Sequence, residues 1–275
     1  MNGLPTFIGI GATKSGSSWL YSILASHHDV YAPVKEVNYF TLHRDKGIEW
    51  YKNIFAAGKA HKQIGEMTPT YLYHEDVATQ IAEQIPTVKL LVILRNPAYR
   101  AYSQYKTDFY IGKTSGKTFD EYLNDNPLIV ERGFYSQHLE SYLERIPKSQ
   151  IKVFILEEAI AQPNMLKEEL ATFLDIDPLG FDDQLISGRK NVSDAPKFRR
   201  LYQTGVTVAR YLHRTRWYRT SKFVKRTGSK LFKHLGESND KAPEMSKDCY
   251  KKLMSVYAKD MEQLEKILGR NKPVW

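Results

Sequence analysis

Runs of consecutive apolar residues alternate with segments of helical apolar spacing over the first two thirds of the chain. The apolar runs, at residues 7–11, 89–94 and 151–156, are typical of strands that are buried on both faces. Apolar positions at helical spacing predict helices at residues 19–24, 76–85, from 98 onward, 136–146, 163–174 and 246–268. Strands that alternate with helices in this way predict an α/β fold, a central parallel sheet flanked by helices in three layers.

The length and composition predict a single domain, and one segment of the chain has an unusual composition. The 275 residues, 42% of them hydrophobic, suffice for a full core, and we predict a single domain over residues 1–275. Residues 197–235 contain twelve Lys and Arg, no Asp or Glu, and interleaved aromatic residues. We predict a basic, mostly helical insertion there, which fits a solvated face, an element that contacts an anionic acceptor or membrane surface, or a nucleic-acid contact.

The net charge and the cysteine content limit the classes of binding partner and the cellular compartment that we expect. The net charge of +9 favours anionic partners, but no nucleic-acid-binding module is recognisable, so we expect no nucleic acid. Cys249 is the only cysteine, which excludes a disulfide framework and a cysteine-based metal site. Residues 1–11 do not resemble a signal peptide, and no stretch approaches the ~18 apolar residues of a membrane span. We therefore expect a cytoplasmic protein, with peripheral membrane contact through residues 197–235 as an addition.

A short polar loop, residues 11–18, joins the first predicted strand to the first predicted helix. A loop in this place presents free N–H groups and the positive end of the helix dipole to an anion. Gly11 and Gly16 have the spacing of the glycines in a Walker A loop, but Ser17 stands where that loop has its lysine, and Lys14 lies inside the loop. By itself the pattern fits a phosphate site and a plain helix-starting turn equally well.

The end of the second predicted strand separates the classes of nucleotide-binding protein. A P-loop NTPase has an Asp at the end of such a strand to help hold Mg²⁺, whereas this chain has Arg95. A guanidinium suits a second phosphate rather than a metal. The sequence therefore predicts a nucleotide with one phosphate cluster at the loop and another near Arg95.

Several segments resemble the PAPS-dependent sulfotransferases, whose donor is 3'-phosphoadenosine 5'-phosphosulfate (PAPS). Residues 13–20 (TKSGSSWL) resemble their 5'-phosphosulfate loop, and residues 94–103 (LRNPAYRAYS) resemble their 3'-phosphate motif. Residues 35–40 (KEVNYF) are similar to a signature of the heparan-sulfate branch and its bacterial relatives, as are residues 66–71 and 132–135. The resemblance covers residues 7–175, resumes at 268–275, and implies a P-loop-like sulfotransferase domain of the bacterial type.

The resemblance implies a role for each matching residue. Lys14 would stabilise charge on the leaving phosphate, and Glu36 would be the general base that deprotonates the acceptor. Arg95 and Ser103 would bind the 3'-phosphate. Further cofactor contacts are expected from Ser15, Gly16, Ser17, Ser18, Trp19, Tyr135, Arg189 and Lys190. Tyr135 fits a core aromatic equally well, and the implied in-line transfer requires no metal.

The acceptor and the competing functions stay open at this point. Some heparan-sulfate relatives carry a lysine where this chain has Met67, so the sequence does not imply a specific sulfated glycan. Carbohydrate, lipid-linked sugar, phenol and small-metabolite acceptors all fit, and His43 is an alternative base. The competing hypotheses are a P-loop kinase or NTPase, and a non-catalytic protein that binds polyanions or membranes. His27 and His28 are expected to be exposed at the end of the first helix.

Overall fold

The computed structural model describes residues 3–114, 116–188, 241–271 and 273–275. Within these ranges, five parallel strands form one sheet. The strands are β1 (Phe7–Gly11), β2 (Val30–Tyr31), β3 (Gln63–Met67), β4 (Lys89–Leu94) and β5 (Ile151–Ile155). The predicted α/β fold with a central parallel sheet is confirmed.

Helices lie between and after the strands along the chain. In chain order they are α1 (Ser17–Ser26), α2 (Tyr39–Leu42), α3 (Gly47–Phe55), α4 (Glu75–Gln84), α5 (Pro97–Tyr110), α6 (Phe119–Asp125), α7 (Pro127–Glu131), α8 (Tyr135–Leu143), α9 (Leu156–Ala161), α10 (Pro163–Leu174), α11 (Asp183–Ser187) and α12 (Lys247–Leu268). Each helix that is predicted within the described ranges is present, with ends that differ from the prediction by at most three residues.

The strand order, β2-β3-β1-β4-β5, places a switch point between β1 and β4. The chain leaves β1 towards β2 on one side of the sheet, and it leaves β4 towards β5 on the other. Neighbouring strands with diverging connections open a ligand crevice beyond their carboxyl ends. The loop after β1 and Arg95 after β4 both lie at this edge of the sheet.

Alternate residues of β4 face two separate cores. Leu90, Val92 and Leu94 pack with residues of α4 and α8, whereas Leu91 and Ile93 pack with residues of α1 and α10. Because helices cover both faces, this strand has no exposed polar side, which explains its unbroken apolar run.

The apolar pattern does not predict β2 or β3. All five residues of β3 are buried, although two of them are Gln63 and Glu66. The Gln63 amide is satisfied by distant partners, because its Nε2 donates to the Leu174 carbonyl at 2.5 Å and its Oε1 accepts from the Thr6 hydroxyl at 2.6 Å. A polar strand can be buried when such partners exist, but a hydrophobic period cannot reveal them.

The chain divides into two compact units. Of the described residues, the first unit holds 3–100, 131–188 and those from 252 onward, and it contains the whole sheet. The second holds 101–130 and 241–251, and its core includes a cluster in which the Tyr105 ring contacts the rings of Phe109, Phe119 and Tyr122. In this unit α6 begins at Thr118 with a capping box.

Residues 197–235 lie outside the described residues. The basic insertion, its contact with a membrane surface, and the single domain over the whole chain therefore stay predictions. Where the chain is described, none of its helices combines the length and the apolarity that crossing a membrane requires.

Candidate active site

The loop between β1 and α1 leaves main-chain N–H groups open to a ligand. Gly16 is the N-cap of α1 at φ 96°, and no side chain caps the helix. A Cβ at Gly16 would lie 2.7 Å from Leu156 Cδ1, so both the backbone and the available space favour glycine. The first N–H groups of a helix have no intrahelical acceptors and lie at the positive end of its dipole. This end of α1 is therefore suited to a phosphate group.

The structure brings the loop and Arg95 together. Lys14 lies in the loop at φ 65°, in the left-handed region that side chains other than glycine rarely adopt. Its carbonyl oxygen accepts a hydrogen bond from Arg95 Nη1 at 3.5 Å. The two cationic residues that the sequence predicts for separate phosphates therefore lie at one edge of the sheet.

Main-chain hydrogen bonds hold the turn that carries Arg95. The Tyr135 hydroxyl donates to the Arg95 carbonyl at 2.8 Å, and the Asn96 N–H donates to Glu157 Oε1 at 3.1 Å. Trp275 Nε1 donates to the second oxygen of Glu157 at 3.0 Å. Glu157 and Trp275 are not predicted site residues, and the only sequence signal for Glu157 is its place directly after the strand predicted at residues 151–156.

Tyr135 supports the site from the core. Its ring is fully buried, and burial raises the pKa of its phenol above 10, although the Arg100 guanidinium opposes this rise. The hydroxyl therefore stays protonated and can donate to the Arg95 carbonyl. A direct contact between Tyr135 and a cofactor stays a prediction.

Glu36 lies beyond the end of β3, the neighbour of β1. It adopts the left-handed conformation, at φ 62°, and its N–H donates to the Met67 carbonyl at 2.9 Å. The side chain is 54% exposed, and Lys35 Nζ lies 2.5 Å from its Oε1. The predicted general base is thus accessible, paired with a cation, and at the same edge of the sheet as the Lys14 loop.

A buried carboxylate, that of Glu66, lies next to the segment that carries Glu36. Glu66 Oε1 accepts from the hydroxyls of Tyr51 at 2.6 Å and Tyr71 at 3.3 Å, and Oε2 accepts from the Thr68 hydroxyl at 2.5 Å and the Val37 N–H at 3.2 Å. Burial raises the pKa of Glu66 above its ordinary 4.5, while these hydrogen bonds oppose the rise. Glu66 is missing from the predicted site, although it lies within the matching segment 66–71.

Met67 points away from this carboxylate. Its side chain is fully buried among residues of β1 and α1, and its sulfur would lie 2.1 Å from a Cβ at Gly9. Position 67 therefore packs into the core in this chain. Lys35, the bridge partner of Met67 on the adjoining segment, is the cation beside Glu36.

The other predicted contacts differ in how the structure uses them. Ser15 and Ser17 are buried at the loop, whereas Ser18 is exposed. Trp19 is buried in the core, and its Nε1 donates to the Leu185 carbonyl at 2.8 Å, so it fixes α1 against α11. Ser103 lies on α5 and is 7% exposed. Residues 189 and 190 lie outside the described part of the chain, so Arg189 and Lys190 stay predictions.

The two histidines at the end of α1 differ in burial. His27 is buried, not exposed as expected: its Nδ1 accepts from the Asp29 N–H at 3.0 Å, and its Nε2 donates to the Asp177 carbonyl at 2.7 Å. His28 is exposed. His27, His28 and Asp29 lie close enough for a metal, but both ring nitrogens of His27 are already engaged. Partial burial and the nearby Lys46 lower the pKa of His43.

Comparison with known protein families gives a match over most of the chain. A family model described as "Sulfotransferase domain" matches residues 5–265. The solved structure of a sulfotransferase from Alicyclobacillus acidocaldarius superposes with a TM-score of 0.70 at 20% identity, covering 98% of this chain and 97% of the other. This superposition supports the fold.

Curated relatives are longer than this chain. The bifunctional heparan sulfate N-deacetylase/N-sulfotransferase 1 of Caenorhabditis briggsae is 27% identical over 99% of this chain and 31% of its own length. The human heparan sulfate glucosamine 3-O-sulfotransferase 5 is 28% identical over 64% of this chain and 54% of its own length. The membrane-associated sulfotransferase kil1 of Dictyostelium discoideum is 37% identical over 37% of this chain and 22% of its own length. The chain thus spans about a third to about half of the first two relatives.

Proposed function

We propose, from the premise that this chain belongs to the sulfotransferase family, that it transfers a sulfuryl group from PAPS to a hydroxyl or amine of an acceptor. The observation that carries the proposal is the contact between Arg95 and the carbonyl of Lys14 at the β1/β4 switch point. It joins a helix N-terminus suited to one phosphate and a guanidinium suited to another. The donor has phosphate groups at both its 5' and 3' positions.

The loop residues fit the 5' end of the donor. The N–H groups of residues 15–18 and the Ser17 and Ser18 hydroxyls would hold the 5'-phosphate, because Gly16 keeps this end of α1 free of a side-chain cap. Lys14 would stabilise the negative charge that grows on the phosphate as its bond to sulfur breaks. Arg95 would bind the 3'-phosphate, and the hydrogen bond from the Tyr135 hydroxyl to its carbonyl holds it in place. A contact of Ser103 with the 3'-phosphate stays a prediction.

Glu36 would act as the general base. Its exposed carboxylate can reach an acceptor, and the Lys35 ammonium lies 2.5 Å from its Oε1. In the proposed in-line step, the acceptor oxygen or nitrogen forms a bond to sulfur while the sulfur–oxygen bond to the 5'-phosphate breaks. Glu36 takes the acceptor proton, and 3'-phosphoadenosine 5'-phosphate (PAP) leaves. No step in this scheme uses a metal.

The acceptor is proposed to be carbohydrate-like or lipid-associated. The names of two relatives refer to heparan sulfate, and that of a third to a membrane. Met67 is packed in the core, and the cation paired with Glu36 is Lys35. The family assignment favours sulfuryl transfer over the kinase or NTPase alternative.

The test combines PAP binding with labelled transfer. We expect calorimetry to show PAP binding to the wild type, and Lys14→Ala or Arg95→Ala to raise Kd about ten- to 150-fold, the loss of about 1.5–3 kcal/mol for a hydrogen bond to a charged group. Transfer of ³⁵S from PAPS to heparan sulfate or N-desulfated heparan sulfate should persist in EDTA. Arg145→Ala is a matched control, because that guanidinium bonds to Thr79 and Glu144.

Three outcomes would contradict the proposal. Unchanged PAP affinity in both Lys14→Ala and Arg95→Ala would remove its basis. Turnover of ATP that depends on Mg²⁺ would favour the kinase or NTPase. Binding to anionic vesicles without any affinity for PAP would favour the non-catalytic alternative.

A further inference from the structure

Four N–H groups of the segment that carries Glu36 donate to a second segment about 30 residues further along the chain. The Glu36 N–H donates to the Met67 carbonyl, and the Val37 N–H donates to Glu66 Oε2. The Asn38 N–H donates to Thr68 Oγ1 at 3.3 Å, and the Phe40 N–H donates to the Tyr71 hydroxyl at 3.3 Å. Three of the four acceptors belong to side chains that are buried together.

The backbone of this segment needs such support. Glu36 and Asn38 both lie in the left-handed region, at φ 62° and φ 56°, which is unfavourable for residues with a Cβ. The side chain of Asn38 adds one local contact, from its Nδ2 to the Glu36 carbonyl at 2.8 Å. Such a conformation persists only when the surrounding structure holds it. The acceptors in the second segment supply that constraint.

Glu66 decides which way the two hydroxyls point. An ionised carboxylate can only accept hydrogen bonds, whereas a hydroxyl can donate one and accept others. Because Thr68 and Tyr71 each donate to Glu66, their oxygen lone pairs are left for the N–H groups of Asn38 and Phe40. If a group that donates hydrogen bonds stood in place of this carboxylate, the hydroxyls of Thr68 and Tyr71 would accept from it and would no longer be oriented towards the N–H groups of Asn38 and Phe40.

We propose that Glu66 is a positioning residue for Glu36. Its carboxylate binds the Val37 N–H directly, and through the hydroxyls of Thr68 and Tyr71 it fixes the N–H groups of Asn38 and Phe40. Glu66 thereby keeps the Glu36 side chain at the carboxyl edge of the sheet without touching the reactants itself. This role rests on the proposed function of Glu36 as general base.

The main test replaces the carboxylate by its amide. In Glu66→Gln, we expect the amides of residues 36–40 to exchange with solvent at least tenfold faster in hydrogen-exchange mass spectrometry. The kcat for ³⁵S transfer from PAPS should fall at least tenfold, with KM for PAPS and Kd for PAP within twofold of wild type. This split separates loss of base position from general loss of structure, because PAP binding depends on the same sheet.

Two further comparisons keep the proposal falsifiable if Glu66→Gln does not fold. Thr68→Val removes the hydroxyl that links Glu66 to Asn38, and Thr68→Ser keeps it, so we expect faster exchange and lower kcat in the first and near wild-type values in the second. Tyr51→Phe is the control. It removes one hydrogen bond to Glu66 but no acceptor of the segment, so exchange and kcat should stay within about threefold of wild type.

The outcomes separate this role from the function on which it rests. Unchanged exchange and kcat in Glu66→Gln, or an equal loss in Tyr51→Phe and Thr68→Val, would overturn the positioning role. A wild-type protein that neither binds PAP nor transfers the label would overturn the proposed function instead. In that case the exchange comparison still decides whether Glu66 holds residues 36–40.

Discussion

The hydroxyl of Tyr135 offers a direct check on how Arg95 is held. In Tyr135→Phe the buried ring stays in place, but the hydrogen bond to the Arg95 carbonyl, 2.8 Å long, is lost. A buried acceptor left without its donor costs about 1–3 kcal/mol. Because Arg95 is only partly buried, we expect the free energy of unfolding to fall by about 1–2 kcal/mol.

The effect on the donor site should be smaller than that of removing Arg95. The turn keeps its second anchor, the hydrogen bond from the Asn96 N–H to Glu157. Loss of one of two anchors should let the guanidinium move without removing it. We expect Kd for PAP to rise about three- to tenfold, which corresponds to about 0.7–1.4 kcal/mol.

Tyr142→Phe is the matched control. Tyr142 is also fully buried, and its hydroxyl donates to a main-chain carbonyl, that of Tyr71, at 2.7 Å. Urea unfolding should show a similar loss of stability in both variants, and calorimetry should show weaker PAP binding only in Tyr135→Phe. Equal PAP affinities in the two variants would refute the reasoning, because the effect would then reflect lost stability rather than the position of Arg95.

Three other predictions concern the loop, the buried carboxylate and the second unit. Gly16→Ala adds a Cβ 2.7 Å from Leu156 at a positive φ, so it should lower stability by more than the about 1–2 kcal/mol of a left-handed residue and weaken PAP binding. Gly269→Ala, at φ 68° directly after α12 with open space around it, should show only the smaller loss. Burial raises the pKa of Glu66 in the folded state, so the wild type should lose stability relative to Glu66→Gln as pH rises from 4.5 to the raised pKa. Urea unfolding across that window measures the difference in unfolding free energy between the two proteins, and a difference that stays constant with pH would contradict the prediction. Thr118→Ala removes the cap of α6 and should lower the unfolding free energy by about 1 kcal/mol, whereas Thr118→Ser should not.

The central strands could be predicted because a strand that is buried on both faces has apolar residues at consecutive positions. The strand at 89–94 agrees with β4 in both ends, and the one at 7–11 agrees with β1. The third strand is predicted at residues 151–156, whereas β5 ends one residue earlier because Leu156 begins α9. The short polar strand β3 has no such signal, because its Gln63 and Glu66 are buried only by virtue of partners from other segments.

The candidate site likewise has parts that could be predicted from neighbouring residues and parts that depend on the fold. The Lys14 loop is a run of neighbours in the chain, and Arg95 follows directly from a recognisable strand, so both could be found before the fold was known. That the two touch depends on β1 and β4 being adjacent, which follows only from the strand order.

By itself, the sequence determined the α/β class and located the loop after β1 and the cation at the end of β4, because each depends on residues that are close together in the chain. The tertiary structure alone decided how those parts are held. Glu66 bonds to the Glu36 segment across about 30 residues, and Trp275 and Glu157 anchor the turn of Arg95 across far longer separations. Hydrophobic periodicity reports which side of an element is buried. It carries no information about which distant polar group will satisfy a buried donor or acceptor, and here those pairings hold both the segment of Glu36 and the turn of Arg95.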